Sequence, residues 1–395
     1  MRTQPQDVIA KLEADNSRLA KEKILLDAMN EGLDEFFEGL KMCLDKLYTF
    51  GVKQVPTKDE VVAGQGCPWK VFKELAEKLY NRELTGHNAR DAINLVMSSA
   101  TAEQWNGFYR RILIKDLRCG VSEKTVNSVA KKNKFGKYMV PVFTCQLAHD
   151  SANHEKKLVG KKMLEVKLDG VRTLAIVHPD GKVDMLSRNG KEFTNFGHIQ
   201  DEISAVVKQD PPPYPLVLDG EVMSENFQDL MKQVHRKGSA NAKDAVLHLF
   251  DFIPLEDFKK GKWDKTQTMR TAMLKAWYQK HDTNLNAVRV LDHEIVNLDT
   301  PEGQKTYTEV NKRAVEGGYE GIMIKDLNAP YECKRSHAWL KLKPFIEVSL
   351  EIKATEEGTG RNVGKLGALI CEGTDDGKKI KTNVGSGLSD DNRDI

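Results

Sequence analysis

Apolar positions change their period near residue 135. Before it they recur at helical spacing: Phe72, Leu75 and Leu79 form one stripe, and Trp105, Phe108, Tyr109 and Ile112 fall at i, i+3, i+4 and i+7 of another. These aromatics read as core. The stretch from Asp7 to Leu47 is charged and helix-prone. A polar, glycine-containing linker is expected from about Lys131 to Lys162. Short strands follow at Leu164–Val166, Thr173–Val177, Val183–Leu186, Leu216–Val222, Val246–Phe252 and Gly321–Lys325, with helices over Phe196–Val207 and Met269–His281 and an exposed loop at Pro211, Pro212 and Pro213. From about Ile346 the pattern is strand-like only, at Val348–Ala354, Gly367–Glu372 and Lys379–Val384, before Gly385-Ser386-Gly387. The chain is therefore expected to be multi-domain: an all-α region over 1–135, an α+β domain of antiparallel sheets over 136–345, and a β domain over 346–395.

Residues 165–172 read Glu-Val-Lys-Leu-Asp-Gly-Val-Arg. In extended geometry Glu165, Lys167 and Asp169 point the same way, with neighbours about 6–7 Å apart. Gly170 permits a tight turn or close approach by a ligand, and Arg172 supplies a fixed cation able to grip a phosphate or carboxylate. The cluster suits a lysine that attacks phosphorus. A free lysine, with a pKa of about 10.4, is protonated near neutral pH and has no lone pair to offer. Its activation requires a desolvated site, neighbouring cations or a metal. Asp169 is expected to hold a sugar hydroxyl or a metal, or to receive the proton. The bland alternative is a surface lysine paired with two carboxylates.

Further segments follow in order: Ser187-Arg188-Asn189-Gly190, Leu218-Asp219-Gly220-Glu221-Val222, Leu249-Phe250-Asp251-Phe252, Glu320-Gly321-Ile322-Met323-Ile324-Lys325 and Trp339-Leu340-Lys341-Leu342-Lys343. Asp219 and Glu221 share one face of a strand that Leu216, Leu218 and Val222 make apolar, and paired carboxylates beside a phosphate centre carry Mg²⁺ or bind ribose hydroxyls. Lys341 and Lys343 alternate with Leu340 and Leu342. Two cations on a buried strand are costly unless an anion meets them, and a triphosphate is the obvious anion.

Together these segments resemble the motif pattern of the covalent nucleotidyltransferases, which include polynucleotide ligases and mRNA capping enzymes. The run from Lys334 to Lys343 is similar to that of ATP-dependent DNA ligases. The resemblance implies a catalytic group of Lys167, Asp169, Arg172, Lys341 and Lys343. It surrounds the nucleotide with Glu165, Lys167, Arg172, Arg188, Glu221, Phe250, Lys325, Lys341 and Lys343, the last two at the α-phosphate. Glu221 would contact ribose and metal, Glu320 would help hold the divalent ion, and Arg188 would bind the ribose or the 5′-phosphate of a nick. Phe250 is placed against adenine, with Phe252 as its rival. Arg335 touches the nick phosphate or the nucleotide, unless it forms only a salt bridge.

Composition adds limits. Among 395 residues the net charge is +2, so any surface for nucleic acid must concentrate its cations locally, as Lys131, Lys132, Lys134 and Lys137 do. Six scattered cysteines without a CxxC pair argue for free thiols and against a structural zinc site. No apolar run reaches the length of a membrane span, and no signal peptide is evident, so a cytoplasmic protein is expected, in the host cytoplasm if phage-encoded.

Two turns in the helical region are candidates for DNA. Gly120, Val121 and Ser122 lie between helices, with Ser122 as an N-cap whose helix would offer backbone N–H groups to a phosphate. Thr85, Gly86 and Asn88 form the other. Both stretches are similar to the N-terminal DNA-binding domain of T-even bacteriophage DNA ligases; as bare motifs they are ordinary helix connections. The final β segments resemble the opening of an oligonucleotide-binding (OB-fold) barrel, apparently incomplete. The late Arg-x-Asp-Lys motif of the family is absent, and a chain truncated at Ile395 is the expectation.

The resemblance thus implies an ATP-dependent DNA ligase that uses ATP, AMP as a covalent lysyl adduct, and Mg²⁺, acting as a monomer on nicked double-stranded DNA, away from membranes. An RNA ligase, an RNA capping guanylyltransferase or a non-catalytic nick-binding protein is the alternative.

Overall fold

The computed structural model describes residues 2–62, 64–225, 243–343, 348–375 and 377–394. It divides into two compact units, residues 1–342 and 343–395. The boundary expected at 345/346 falls outside the described residues. Among the described residues no helix is long and apolar enough to cross a membrane.

The first unit begins with helices Pro5–Ala14, Arg18–Glu31, Asp34–Leu44, Trp69–Tyr80, Gly86–Ser99 and Glu123–Lys132. Ser17 caps the second by accepting from Ala20 N–H, and Gly32, in the left-handed region at φ 70°, ends it. Phe36, Phe37, Phe72, Trp105 and Phe108 are completely buried or nearly so and form the core between these helices. One departure from simple periodicity occurs at Trp105–Tyr109, which is a π-helical turn. The wider turn accompanies two anchored side chains: Trp105 Nε1 donates to Pro56 O at 2.8 Å, and Tyr109 Oη donates to Cys67 O at 2.7 Å.

Among the described residues fifteen strands follow: β1 Leu147–Asp150, β2 Lys161–Lys167, β3 Val171–Val177, β4 Val183–Leu186, β5 Leu216–Met223, β6 Val246–Pro254, β7 Lys262–Trp263, β8 Val288–Val290, β9 Glu294–Asn297, β10 Gly321–Asp326, β11 Tyr331–Glu332, β12 Arg335–Leu342, β13 Glu351–Glu357, β14 Leu366–Asp375 and β15 Lys378–Val384. Among the described residues two five-stranded sheets, in the orders β1-β12-β10-β2-β9 and β4-β3-β5-β6-β8, and the small pair β7–β11 hold the strands of the first unit. The expectation of purely antiparallel sheets is corrected. β1 runs parallel to β12 and β8 parallel to β6, so both sheets are mixed.

Alternation along the strands sorts residues into layers. On β3 and β5 the odd and even positions divide between helices Gly197–Gln209 and Gln267–His281 on one side, through Ala175, Val177, Leu216, Leu218 and Val222, and the opposite sheet on the other, through Leu174, Ile176 and Val217. The other sheet covers its outer face with helix Pro301–Glu316, through Leu164, Val310, Ala314, Ile322, Ile324 and Leu340. The two inner faces therefore confront one another.

The helical part touches the strands through the Arg82–Asp180 ion pair at 2.6 Å, Lys182 Nζ donating to Thr49 at 3.3 Å, and Lys259 against the Tyr80 hydroxyl. In the second unit β13, β14 and β15 form an antiparallel sheet, and Arg393 donates to Leu366, Gly367 and Gly385 carbonyls at 2.6–2.9 Å. No closed barrel is present among the described residues.

Candidate active site

A cleft opens between the two inner faces. One wall carries Arg172 from β3, Glu221 from β5 and Phe250 from β6; the other carries Glu165 and Lys167 from β2, Met323 and Lys325 from β10, and Trp339 and Lys341 from β12. Leu147 and Ala148 of β1, Val166, Leu168, Leu291, Arg188 and Arg335 complete the lining. Lys167 is the last residue of β2 and its ammonium contacts the Glu320 carboxylate, both side chains being partly exposed.

Each wall is braced by a charged pair. Arg172 donates to both oxygens of Asp219 at 2.6 and 2.7 Å and to Gln146 O at 2.9 Å, while Tyr331 Oη donates to Asp219 at 2.7 Å. Asp219 is fully buried. Asp219 and Glu221 do share a strand face, but the carboxylate expected beside ribose or metal is committed to Arg172 and Tyr331, and only Glu221 lines the cleft. Arg172 correspondingly has its guanidinium fork engaged by protein and meets the cleft as a wall. In the other sheet Lys325, 2% exposed, pairs with Glu165, 4% exposed. Its ammonium lies 4.7 Å from the Phe250 ring centre and 4.4 Å from that of Trp339. Burial pushes the Glu165 carboxyl up from its ordinary value, against the pull of Lys325. Burial likewise raises Glu221, opposed by Arg172 and Lys167; its Oε1 accepts from Gly170 N–H at 3.3 Å.

The expectation for Asp169 is corrected. β2 ends at Lys167, Leu168 is buried and lines the cleft, and Asp169 is exposed outside the cleft lining, so strand alternation does not carry Asp169 to the same face. Gly170 does make a close approach, but to protein: a Cβ there would lie 2.3 Å from Val222 O and 2.6 Å from Met223 Sδ. Lys341 faces the cleft as alternation requires. Lys343 follows the end of β12, is exposed, and belongs to the second unit.

A bulge separates the rival aromatics. β5 and β6 shift register so that Asp219 faces Asp251 and Gly220 faces Leu249, leaving Phe250 without a partner. Two residues apart on a regular strand, Phe250 and Phe252 would share a face. The extra residue sends Phe250 into the cleft and Phe252 into the helix-side core.

Arg188 stands exposed at the tip of a tight turn closed by Ser187 N–H to Lys191 O at 2.8 Å, with Gly190 at φ 82°. Arg335 donates to Ala148 O at 2.5 Å and pins β1 beside the cleft. In the helical part Thr85, Gly86 and Asn88 are exposed at the start of helix Gly86–Ser99. Gly120 adopts φ 67°, Ser122 accepts from Thr125 N–H at 3.4 Å, and Lys21 supports the turn by donating to Leu12 O at 3.0 Å and to Cys119 O.

Sequence reasoning missed the wall formed by Leu147, Ala148, Leu291, Met323 and Trp339, and the Tyr331 brace. β1 has four residues in a stretch read as linker, too short for periodicity to register. Trp339 had a signal: it shares strand parity with Lys341.

Two facing mixed sheets, a terminal-strand lysine, a carboxylate and an aromatic wall define a nucleotidyltransferase domain. The ATP dependent DNA ligase domain family matches residues 145–343. The DNA ligase of Enterobacteria phage T6 is 23% identical over 351 residues, covering 79% of this chain and 69% of that protein. A probable DNA ligase of Rhodococcus opacus is 30% identical over 233 residues, covering 56% of this chain and 42% of that protein. The solved structure named Pmar-Lig_PreS3 is 60% identical, with a TM-score of 0.62, and the alignment covers 99% of this chain and 90% of that one. The chain belongs to the ATP-dependent DNA ligase family.

Proposed function

We propose that this chain seals nicks in duplex DNA with ATP, and that Lys167 carries the adenylyl group between them. The carrying observation is the position of Lys167 at the end of β2, its amine in the cleft that Glu221, Phe250, Lys325, Trp339 and Lys341 line. Lys167 Nζ forms a bond to the α-phosphorus as the bond to the bridging oxygen of pyrophosphate breaks. The amine must shed its proton to solvent first, a loss that the neighbouring cation Lys341 in the same cleft favours. An oxygen of the nick 5′-phosphate next attacks the adenylyl phosphorus and the P–N bond breaks, regenerating lysine. The 3′-hydroxyl finally attacks the activated 5′-phosphate, forming the phosphodiester while AMP leaves. Alignment in the cleft supplies much of the rate, because each of the three attacks requires in-line geometry.

Phe250 and Trp339 offer aromatic faces to adenine, Lys341 meets the α-phosphate, and Arg188 and Arg335 meet ribose or nick phosphate. Arg172 and the Lys325–Glu165 pair act by holding the walls. Carboxylate oxygens suit Mg²⁺, and burial leaves the Glu221 charge poorly solvated, a condition that a cation relieves. Glu221 and Glu320 are the residues that would hold the ion. Bound there, Mg²⁺ neutralises charge on the triphosphate. The exposed turns at Thr85–Asn88 and Gly120–Ser122 are proposed to grip duplex backbone, with residues 1–135 as a helical DNA-binding domain and β13–β15 as part of an OB-type module. The proposed setting is a monomer in the cytoplasm.

The test is a nicked duplex with a labelled 5′-phosphate at the nick, incubated with ATP and Mg²⁺. Sealed product that is lost when GTP replaces ATP, and lost on nicked RNA, supports the reading. Sealing of RNA alone, or binding of nicked DNA without product, overturns it in favour of an RNA ligase or a non-catalytic nick binder.

A further inference from the structure

Three of the ten histidines converge on the outer edge of the first sheet. His149 lies on β1, His154 follows the short turn Ser151–Asn153, and His337 lies on β12, yet one ring nitrogen from each falls within 4.8 Å of the others. The pairing of β1 with β12 brings this about. Ala148 faces Ser336 and His149 faces Leu340, so residues 337–339 have no partner on β1, and the irregularity sets His337 against His149. Their rings stack at 4.1 Å and 10°, and the His154 ring meets each edge-on at 4.7 and 4.3 Å. Asp150 fixes the approach of His154 by accepting from Ala152 N–H at 3.0 Å.

We propose that His149, His154 and His337 bind one borderline divalent transition-metal ion, of which zinc is the type, with a fourth position open to water. Three imidazoles form a donor set for such ions and a poor one for Mg²⁺, which takes oxygen. Tetrahedral zinc with bonds of about 2.0–2.1 Å needs ligand nitrogens about 3.3 Å apart, which rotation of the rings supplies. Only neutral imidazole ligates, so the site binds metal in its deprotonated form. His337 is exposed, giving the ion a path from solvent. The site is separate from the carboxylates proposed for Mg²⁺. Its effect is structural: it ties β1 to β12 beside Ala148 and Arg335, both in the cleft wall.

The experiment titrates Co²⁺ into the metal-stripped, tag-free full chain without ATP or DNA, followed by visible absorption, with Zn²⁺ then added in competition. The expected result is one equivalent bound with the intense absorption of tetrahedral cobalt, displaced by Zn²⁺ and unaffected by excess Mg²⁺. His337→Ala and His149→Ala should each weaken binding at least about 100-fold, the upper end of what loss of an outer-shell partner costs. Lys167→Ala should bind as the wild type does, which separates this site from the adenylation reading. Zinc should raise the melting temperature of the wild type and leave that of the exposed-position variant His337→Gln unchanged. Absence of the cobalt spectrum, or an equal spectrum and equal melting shift in the histidine variants, overturns the proposal.

Discussion

Lys325 stands opposite Met163 on the neighbouring strand, and its ammonium ends on Glu165, the diagonal neighbour, beneath the rings of Phe250 and Trp339. Neither charge is solvated. Removing one partner leaves the other buried alone, which costs about 3–5 kcal/mol, whereas removing both costs far less. Lys325→Met should therefore lower unfolding stability in urea by about that amount, and Lys325→Met with Glu165→Gln should recover most of it. Equal stability of the single and double variants would show that the pair does not brace this wall.

Phe250 and Phe252 should separate cleanly in their effects. Base stacking contributes about 1–3 kcal/mol per aromatic by alanine substitution. Phe250→Ala should raise the KM for ATP by roughly 5- to 150-fold with little change in melting temperature. Phe252→Ala, in the helix-side core, should lose about 3–5 kcal/mol of stability while the remaining folded enzyme keeps its KM. The reverse assignment of losses would contradict the bulge as the device that aims Phe250.

His178 predicts a pH dependence of stability. Burial, then Lys182, brings it down to about 4, against the pull of Asp184. Its folded value lies below the unfolded value of about 6.5, so the neutral ring contributes stability above about pH 6.5 that is lost as pH falls toward about 4. Between pH 7.5 and 5.5 the wild type should lose roughly 1 kcal/mol more than His178→Gln in urea unfolding. Parallel losses would mean the ring titrates normally.

Ser122 offers a test of DNA contact apart from chemistry. Aspartate caps a helix as well as serine does but puts a negative charge where phosphate is proposed to sit. Ser122→Asp should weaken nicked-duplex binding by about 5-fold, corresponding to about 1 kcal/mol, while labelling of the enzyme by ATP stays at the wild-type level. Loss of labelling together with binding would point to misfolding instead, and unchanged binding would remove this turn from the DNA surface.

How much was legible in the sequence depended on whether strand alternation held. It held on β5 and β12, so the shared face of Asp219 and Glu221 and the inward aim of Lys341 follow from spacing alone. It failed wherever the ladder was interrupted. Asp169 lies past the end of β2, and Phe250 sits in a bulge that no composition signals. The partners of buried charges were also invisible: Arg172 reads as a phosphate grip until Asp219 and Tyr331 are seen around it, and Lys325 reads the same way until Glu165 appears. His149, His154 and His337 are separated by up to 188 residues, and only the parallel pairing of β1 with β12, a contact with no local pattern, unites them.

The most direct test of the account is transfer of label from [α-³²P]ATP to the protein, with the modified residue located by peptide mapping. The wild type should carry one acid-labile adenylyl group on Lys167, released on addition of nicked duplex, and Lys167→Ala and Lys167→Arg should carry none. Label of wild-type intensity on either variant, or label mapped to another lysine, contradicts the claim that this amine takes the nucleotide.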